Sequence, residues 1–533
     1  MSRLRPLWFV TLIATAVIVL GTMLWRLDAQ TVQNWDESIH GQVSREMVES
    51  GEWVDLQYRG GDYFRKPPLS FWLRSVTIAA LGDTVWSLRV WSGIAGVLTA
   101  LLVGWWAWQR WRNRWIALLA VLVFTAGRFV FFHVFRSGEG DGLLTLFVTL
   151  SLYAGWRARV DSRWLLLTGA ATGLAVLTKS AAGFLPIPIL LLDALVTRSW
   201  PYRWKHVLTA ALVFLAVAAP WHVVEHVRHG SAFWNDYLGF HVFERATTAI
   251  HNPDAGPLYY VTSFARRFFP FSLFFPFAFF AMAWGLRRDR RTGDALLLAW
   301  FVVVFVFFTL TATKFDWYLA PLYPAAALVV TPWLATLVQR PSWKVIGAQA
   351  VSFSAVLFFL PDTVHPESAA RWIYPLTLLV HNKPSALYLV LNAVAIAVFL
   401  LAMPRTRPRW LAPVLGGYAL GKVLLFAVSF SLLTIRALRP EPPLPHLAAL
   451  IEQQPNVTTL YSRGTDLIHY PAAYWYFERL DLRLVDLERA PAPEQFTAGD
   501  LIVVRDPAEP PTGSFDVVGR SDDFTVYRLS TGP

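Results

Sequence analysis

The chain has 533 residues, of which 55% are hydrophobic and only 16% are charged. Soluble proteins carry about 25% charged residues, so this composition excludes an ordinary soluble enzyme. The absence of cysteine excludes disulfide bonds, thiol nucleophiles and thiolate metal sites. The net charge is +11, but the arginines lie in short clusters between apolar runs, as topology signals do, which argues against a nucleic-acid ligand.

Apolar runs long enough to cross a bilayer recur almost to the end of the chain. The first run follows Arg3 and Arg5 and resembles a signal peptide, but it lacks a convincing small-residue cleavage pattern, so we expect a retained helix. The sequence thus predicts a polytopic α-helical membrane protein with about 13 transmembrane helices. Their predicted ranges are 7–26, 86–109, 115–136, 141–156, 164–178, 182–197, 206–224, 264–286, 294–312, 317–339, 343–360, 385–403 and 411–434.

Basic residues mark one face of this predicted bundle, which the positive-inside rule makes cytoplasmic together with the N-terminus. The basic clusters lie in alternate loops and consist of Arg110, Arg112 and Arg114; Arg157, Arg159 and Arg163; Arg198, Arg203 and Lys205; Arg287, Arg288, Arg290 and Arg291; Arg340 and Lys344; and Arg405, Arg407 and Arg409. The opposite face then receives the first loop, 27–85, and a second large loop, 225–263. Because the predicted number of spans is odd, it also receives the C-terminal segment.

The last part of the chain differs in character from the rest. The proline-rich segment 440–445 is typical of a stiff linker. After it, β-type runs such as 457–461, 501–504 and 524–527 alternate with helical patterns such as 446–453, which predicts a small α/β domain outside the membrane. We therefore divide the chain into a transmembrane domain, 1–435, and a soluble α/β domain, 436–533.

Unusual polar residues collect on the face opposite the basic clusters. They are Asp36, Glu37, Lys66, Glu139, Asp141, Lys179, His241, Arg245 and Lys314. Ionisable groups beside hydrophobic helices indicate a functional cavity, here one open to the outer leaflet. Lysine and arginine neutralise a phosphate or diphosphate, whereas a carboxylate accepts a proton from an attacking hydroxyl.

Each of these residues also has a purely structural interpretation. Asp36 and Glu37 suit a helix N-terminus, where the helix dipole favours acids. Lys66 would be an interfacial lysine that snorkels, and Lys179 a charge in a turn. Lys314 would pair with Asp316 at the surface, and His241 would be a structural histidine. The spacing of Glu139 and Asp141 is compatible with a divalent metal, although two carboxylates separated by one glycine form a weak signal.

A series of motifs in a fixed order adds to this interpretation. The motifs are Trp35-Asp36-Glu37; Arg45-Glu46-Met47; Ser50-Gly51-Glu52-Trp53; Tyr63-Phe64-Arg65-Lys66-Pro67-Pro68 with Trp72; Arg136 to Asp141; Leu177-Thr178-Lys179; Pro220-Trp221; His241 to Arg245 with His251 and Gly256-Pro257; and Lys314 to Tyr318 with Pro321 and Pro324. From residue 5 to 340 the chain resembles the GT-C membrane glycosyltransferases, specifically the bacterial aminoarabinose-transferase-like and protein-mannosyltransferase-like family. Members of that family use a polyprenyl-phosphate sugar as donor.

The resemblance implies roles for individual residues. Asp36 would be the general base, Glu37 its support, and Asp141 the second acidic residue of the site. Lys66 would contact the donor phosphate. The phosphate and lipid cavity would be lined by Tyr63, Lys179, His241, Arg245 and Lys314. Transfer would invert the anomeric carbon by a single displacement, with polyprenyl phosphate as the leaving group. No cofactor is assigned, and a divalent metal at Glu139 and Asp141 stays an open alternative.

The same resemblance implies a bacterial inner-membrane protein with a cytoplasmic N-terminus and a periplasmic C-terminus. The acceptor would be lipid A, another envelope glycan, a lipid or a protein. Three positions depart from the family pattern: Arg65 stands where glutamate is common, residues 242–246 read Val-Phe-Glu-Arg-Ala, and Asp316 replaces a common proline. These departures leave the sugar and the acceptor open.

Two other classes of function remain to be weighed. A transporter or flippase of lipid-linked sugars would carry polar residues at the middle of the membrane and some internal repeat. Here the polar residues lie at one face, and no repeat is visible. A non-catalytic membrane scaffold would leave the combination of Asp36, Lys66 and Asp141 unexplained. The sequence therefore favours the glycosyltransferase.

Overall fold

The structure is a computed structural model. It describes residues 5–33, 35–127, 133–248, 256–269, 271–289, 293–339, 444–454, 456–463, 471–477, 480, 482–486, 500–505, 515–521 and 524–529. The predicted spans 343–360, 385–403 and 411–434 lie outside the described residues. The chain divides into two compact units. Unit 1 comprises Met1–Leu27, Tyr63–Leu73 and Arg89–Leu433; unit 2 comprises Asp28–Asp62, Arg74–Leu88 and Thr434–Pro533.

Helices dominate the described part of the chain. In chain order they are α1 (Arg5–Leu24), α2 (Asp36–Ser50), α3 (Leu69–Leu81), α4 (Val85–Trp111), α5 (Arg114–Thr125), α6 (Asp141–Arg157), α7 (Trp164–Lys179), α8 (Pro186–Thr197), α9 (Trp204–His229), α10 (Ser231–Trp234), α11 (Arg245–Thr247), α12 (Tyr259–Arg267), α13 (Phe275–Gly285), α14 (Asp294–Leu310), α15 (Tyr323–Gln339), α16 (Leu444–Glu452) and α17 (Pro471–Phe477). A π-helical segment spans Asn235–Glu244, and 3₁₀ segments span Ser180–Phe184, Phe271–Leu273 and Asp316–Leu322.

Four helical segments among the described residues are long and apolar enough to cross a membrane. They are Val85–Trp111, Trp164–Phe184, Trp204–His229 and Asp316–Leu337. Shorter apolar helices accompany them in unit 1, among them α5, α8, α13 and α14. The described residues thus provide fewer full-length spans than the predicted 13.

Two predicted spans are wrong in their extent. The predicted span 115–136 is shorter, because α5 ends at Thr125 and residues 135–140 form turns and bends before α6. The predicted span 264–286 is broken into α12, a 3₁₀ turn and α13. Pro276 lies in the first turn of α13, where its missing N–H costs nothing, so a new helix starts there. The predicted loop 27–85 also contains α2 and α3.

Unit 1 packs its helices through buried aromatic rings. Trp106 of α4 stacks on Trp156 of α6 and Trp300 of α14, with ring centroids 5.8 Å apart in both pairs. The indole of Trp300 donates a hydrogen bond to the carbonyl oxygen of Pro321 over 2.7 Å. This bond fixes the 3₁₀ segment Asp316–Leu322, which packs against α6.

Unit 2 is built on a five-stranded sheet and a small hairpin. The strands are β1 (Gln57–Tyr58), β2 (Gly61–Asp62), β3 (Thr459–Arg463), β4 (Arg483–Asp486), β5 (Asp500–Arg505), β6 (Phe515–Ser521) and β7 (Phe524–Leu529). The sheet has the order β4-β3-β5-β7-β6, in which β4, β3 and β5 are parallel and β7 is antiparallel to both its neighbours. The predicted runs 457–461, 501–504 and 524–527 fall on β3, β5 and β7.

The apolar core of unit 2 joins residues from distant parts of the sequence. Its buried members come from residues 28–88 and from the C-terminal segment: Val32, Ile78, Leu88, Leu447, Ile451, Leu460, Trp475, Phe477, Leu501, Val503 and Val526. Alternation along β5 sends Leu501 and Val503 to this core, while Ile502 and Val504 face the other side with Tyr461. Part of the first loop therefore shares a core with the C-terminal sheet. The domain limits 1–435 and 436–533 stay a prediction.

Candidate active site

A polar turn before α6 holds two carboxylates that are almost completely buried. Glu139 is 3% exposed, and Asp141, the first residue of α6, is 1% exposed. Between them Gly140 lets the turn approach the end of α7. A Cβ atom on Gly140 would lie 3.3 Å from Cγ2 of Thr178 and 3.5 Å from its carbonyl oxygen. The glycine therefore allows the contact that brings Asp141 beside Lys179.

Lys179 and Asp141 form a buried ion pair. The Lys179 Nζ atom lies 2.6 Å from Oδ1 of Asp141, and its ammonium is 5.3 Å from the ring centroid of Tyr318. Lys179 is the last residue of α7, and Ser180 follows with a positive φ of 36° that redirects the chain. The interpretation of Lys179 as a simple charge in a turn does not describe this geometry. Removal of one partner of such a pair costs about 3–5 kcal/mol, since it leaves a buried charge uncompensated.

A second charged contact lies in the same turn and involves a residue that the sequence did not single out. Nε2 of His133 lies 2.7 Å from Oε1 of Glu139, and the His133 ring lies against Trp317 with centroids 4.1 Å apart. The backbone carbonyl of Glu139 accepts a hydrogen bond from Ser92 over 3.0 Å. His133 lies inside the predicted span 115–136. The sequence feature that could have identified it is the presence of an ionisable residue within an apolar run.

His133, Glu139 and Asp141 offer three ligand atoms within 4.8 Å of one another. An imidazole and two carboxylates are suitable donors for a divalent cation. However, the ammonium of Lys179 already occupies one oxygen of Asp141, at hydrogen-bond distance. The donor types therefore fit a metal, and a cation at this site would lie close to the positive charge of Lys179, which weakens its binding.

Arg136 anchors the start of this turn. Its guanidinium donates hydrogen bonds of 2.9 Å to the carbonyl oxygens of Thr22, Trp25 and Arg26, at the end of α1 and just after it. Carbonyl groups past a helix end have no partner within the helix, so the arginine satisfies them. The turn thereby keeps a fixed position against α1.

Lys314 and Asp316 do not form the surface pair that was one interpretation of their spacing. Nζ of Lys314 donates to the carbonyl oxygen of Thr311 over 2.5 Å, and the side chain is buried. Asp316 instead accepts from Arg266 and Arg267 of α12, both over 2.8 Å. The paired arginines lie closer than Lys314 because α12 packs against the segment that starts at Asp316.

Two tyrosines of α12 border this region. Burial raises the pKa of Tyr260, whose hydroxyl accepts a hydrogen bond from the backbone N–H of Phe315 over 3.3 Å. Burial also raises the pKa of Tyr259, and the neighbouring Asp316 carboxylate adds to the rise. Both hydroxyls therefore stay protonated at neutral pH.

The motif that contains Tyr63 and Lys66 lies in unit 1, directly before α3. Tyr63 is buried, with its ring packed edge-on against Phe71 at 5.8 Å. Lys66 is half-buried and precedes two prolines. The carbonyl oxygen of Pro68 accepts hydrogen bonds of 2.9 Å from Phe71 and Trp72, which starts α3. Lys66 thus lies just before the start of α3.

Asp36 and Glu37 begin α2 and belong to unit 2. The preceding Trp35 is 63% exposed and has φ 71°, an uncommon value for a residue other than glycine. Glu37 is buried, and its Oε2 atom accepts a hydrogen bond from the backbone N–H of Gln33 over 2.7 Å. Asp36 is half-buried. The contact of Glu37 thus agrees with its structural interpretation as an acid at a helix start. Asp36 is less buried than Glu37 and stays the candidate base.

His241 lies in the π-helical segment Asn235–Glu244, and Arg245 begins α11. The side chains of both residues lie outside the described part of the chain, as does His251. Among the candidate residues, the structure brings together Asp141, Lys179 and Glu139, and it adds His133 and Tyr318. It places Lys314 near Thr311 in unit 1, and Asp36 and Glu37 in unit 2.

Comparison with known proteins gives a consistent result. A family model for dolichyl-phosphate-mannose-protein mannosyltransferase matches residues 65–223. The undecaprenyl phosphate-alpha-4-amino-4-deoxy-L-arabinose arabinosyl transferase of Pectobacterium carotovorum subsp. carotovorum (strain PC1) is 28% identical over 336 residues, which cover 61% of this chain and 59% of that relative. A transferase of the same name, numbered 1, from Pseudomonas fluorescens (strain Pf0-1) is 30% identical over 56% of this chain and 54% of its own length. The chain thus matches less than two thirds of the length of these relatives.

Solved structures show the same fold over nearly the whole chain. The crystal structure of ArnT from Cupriavidus metallidurans bound to undecaprenyl phosphate aligns with a TM-score of 0.73 and 22% identity, covering 98% of this chain and 99% of that one. The archaeal oligosaccharyltransferase AglB from Archaeoglobus fulgidus aligns with a TM-score of 0.51 and 13% identity, covering 93% and 69%. The polytopic helical membrane fold predicted from the sequence is confirmed.

Proposed function

We propose that this chain is a member of the aminoarabinose-transferase-like family of GT-C membrane glycosyltransferases, and that it transfers a sugar from a polyprenyl-phosphate donor to an acceptor of the cell envelope. The observation that carries the proposal is the buried cluster of Glu139, Asp141 and Lys179 in unit 1. Buried ionisable groups beside membrane-spanning helices are costly, and they mark functional sites far more often than structural ones.

The relatives support a particular donor for the first experiments. Their names describe transfer from undecaprenyl phosphate that carries 4-amino-4-deoxy-L-arabinose, and the Cupriavidus protein binds undecaprenyl phosphate. The acceptor in our proposal is lipid A, another glycan, a lipid or a protein. It presents a hydroxyl to the site.

The proposed reaction is a single displacement with inversion. Asp36 removes the proton of the acceptor hydroxyl while the acceptor oxygen attacks the anomeric carbon of the sugar. The bond from that carbon to the phosphate oxygen breaks, and its electron pair leaves with polyprenyl phosphate. Lys66 stabilises the negative charge that develops on the phosphate. Glu37 holds the start of α2 through the backbone N–H of Gln33.

The remaining candidate residues would line the phosphate and lipid cavity. They are Tyr63, Lys179, His241, Arg245 and Lys314. Asp141 would be the second acidic residue of the site, with its charge balanced by Lys179. If a divalent metal binds, His133, Glu139 and Asp141 would hold it, and it would supply further positive charge for a phosphate.

We further propose that the site faces the periplasm of a bacterial inner membrane. The distribution of basic loops supports a cytoplasmic N-terminus, a periplasmic C-terminus and about 13 transmembrane helices. In this arrangement the C-terminal sheet of unit 2 and the loop 27–62 share the periplasmic side. A lipid-linked donor diffuses in the outer leaflet and reaches the site from the membrane.

The test is a transfer assay with the purified full chain in detergent. The protein is incubated with undecaprenyl phosphate-4-amino-4-deoxy-L-arabinose and lipid A, and both lipids are followed by mass spectrometry. We expect a lipid A product heavier by one sugar and an equal amount of free undecaprenyl phosphate. Movement of the intact donor lipid across reconstituted vesicles, without any product, would contradict the proposal and favour a flippase.

A further inference from the structure

The C-terminal helix α17 packs directly against α2, the helix that begins with Asp36. The contact requires a glycine in α2. A Cβ atom on Gly41 would lie 2.8 Å from Cζ3 and 2.9 Å from Cε3 of the Trp475 ring, closer than real side chains approach. Trp475 is buried. The two helices therefore approach closely at Gly41, where the indole ring of Trp475 packs on α2.

Arg45 of α2 fastens the same tryptophan by polar contacts. One Nη atom donates to the carbonyl oxygen of Trp475 over 2.8 Å, and the guanidinium carbon lies 4.1 Å from the centroid of the Trp475 ring. The other edges of the guanidinium are bound by Asp83 at 2.7 Å and Gln42 at 2.9 Å. Arg45 is 4% exposed, so these bonds form in a desolvated environment, where they are stronger than in water.

The next residue of α17 holds the chain that leads into α2. The hydroxyl of Tyr476 accepts a hydrogen bond from the backbone N–H of Val32 over 3.0 Å, and both residues are buried. One residue later, the N–H of Gln33 binds Glu37. The segment with Asp36 is thus fixed on its N-terminal side by Tyr476 and on its C-terminal side by Arg45 and Trp475.

We infer that Trp475 and Tyr476 are positioning residues that set the orientation of Asp36 for proton removal. The inference rests on the proposed function, because it takes Asp36 as the general base. A general base must lie within hydrogen-bond reach of the acceptor hydroxyl, and a displacement of about 1 Å can cost about a hundredfold in rate. The C-terminal segment, which carries no catalytic motif, thereby gains a part in the reaction.

Trp475 and Tyr476 belong to the apolar core of unit 2, together with Leu447, Leu501 and Val503. Beyond this packing, the Tyr476 hydroxyl makes a directed hydrogen bond to the backbone N–H of Val32, four residues before Asp36. A bond at that point restricts the path of the chain into α2.

The experiment compares two deletions of a tyrosine hydroxyl in the full chain. Tyr476→Phe removes the bond to Val32, while Tyr527→Phe alters a tyrosine of β7 on the opposite side of the sheet. Rates are measured with undecaprenyl phosphate-4-amino-4-deoxy-L-arabinose and lipid A. We expect Tyr476→Phe to lower kcat by about fivefold to tenfold with the apparent donor KM changed by less than about twofold, and Tyr527→Phe to change neither.

A second set of measurements separates positioning from a structural role. Tyr476→Phe is combined with Asp36→Asn, and the slow residual transfer is followed. If Tyr476 acts through Asp36, the added substitution leaves the residual rate unchanged, since no base remains to be oriented. Arg45→Lys, which retains the charge but loses the planar fork, should reproduce the same split between kcat and KM.

Four outcomes are decisive. A Tyr476→Phe protein as active as Tyr527→Phe overturns the positioning role. Equal losses with and without Asp36 also overturn it, because they indicate general loosening of the fold. Full activity of Asp36→Asn overturns the assignment of Asp36 as the base and with it the positioning role. No transfer by the unaltered chain overturns the proposed function itself and leaves the packing of α17 on α2 as a structural fact.

Discussion

The two acidic regions of the chain hold their carboxylates in opposite ways. In unit 1, Glu139 and Asp141 are buried and each contacts a basic side chain, His133 and Lys179 respectively. In unit 2, the half-buried Asp36 follows an exposed tryptophan at the start of a helix. A carboxylate held in an ion pair is a poor proton acceptor. We therefore expect the acidic groups of unit 1 to organise charge, and our proposal keeps Asp36 of unit 2 as the residue that removes the proton.

The largest expected effect on stability comes from breaking the buried pair. Asp141→Ala leaves the Lys179 ammonium buried without its partner, and we expect a loss of about 3–5 kcal/mol in unfolding free energy. The measurement is the midpoint of thermal unfolding in detergent. The double variant Asp141→Leu with Lys179→Met should recover most of the loss, because it removes both charges. An unchanged midpoint in Asp141→Ala would mean that the pair does not organise unit 1.

The next effect concerns the donor phosphate. Lys66→Ala should raise the apparent donor KM by about tenfold to a hundredfold, since hydrogen bonds to charged groups contribute about 1.5–3 kcal/mol. Arg65→Ala, one residue earlier and exposed, is the matched control and should change this KM by less than about threefold. Steady-state kinetics at varied donor concentration decide the point. Equal effects of the two substitutions would remove the specific role of Lys66.

Glu37 should show a smaller effect of mixed character. Glu37→Gln weakens the bond to the backbone N–H of Gln33, and we expect about 1 kcal/mol of destabilisation, as for loss of a helix cap. Because the start of α2 loosens, kcat should fall by about threefold to tenfold. The unfolding midpoint and kcat are measured on the same preparation. Loss of all activity with an unchanged midpoint would instead make Glu37 the base.

The smallest effect is expected from metal removal. Lys179 binds Oδ1 of Asp141, so a divalent cation would lie beside an ammonium group that repels it. We therefore expect activity to be retained after dialysis against a chelator, measured by the same transfer assay. Loss of activity that returns with added Zn²⁺ or Mg²⁺ would assign His133, Glu139 and Asp141 to a metal site.

Among the described residues, sequence patterns located the long apolar helices of unit 1, because apolar length is a local property. They also singled out Asp141 and Lys179, since charges beside apolar runs are costly wherever the chain goes. His133 escaped notice because it looked like part of a long span, and its contacts with Glu139 and Trp317 form only in the folded chain. The partners of Asp316 were also missed, because Arg266 and Arg267 lie about fifty residues away in the sequence and α12 brings them to Asp316.

The sequence did not predict which segments of the chain come together in unit 2. Val32 and Tyr476 are separated by 444 positions, and neither residue carries a pattern that points to the other. The short β-type runs indicated strands in the C-terminal segment, but a strand pattern does not say which helix will cover the sheet. In unit 2, α2 contributes to the core together with the helices of the C-terminal segment. This arrangement is a property of the folded chain.

Asp36→Asn is the most direct test of the comparison between the two regions. The substitution keeps the shape of the side chain and removes its ability to take a proton. The account predicts that the variant loses transfer from undecaprenyl phosphate-4-amino-4-deoxy-L-arabinose by about a hundredfold or more, while its unfolding midpoint and its binding of undecaprenyl phosphate stay unchanged. Transfer at the rate of the unaltered chain would contradict the assignment of proton removal to Asp36.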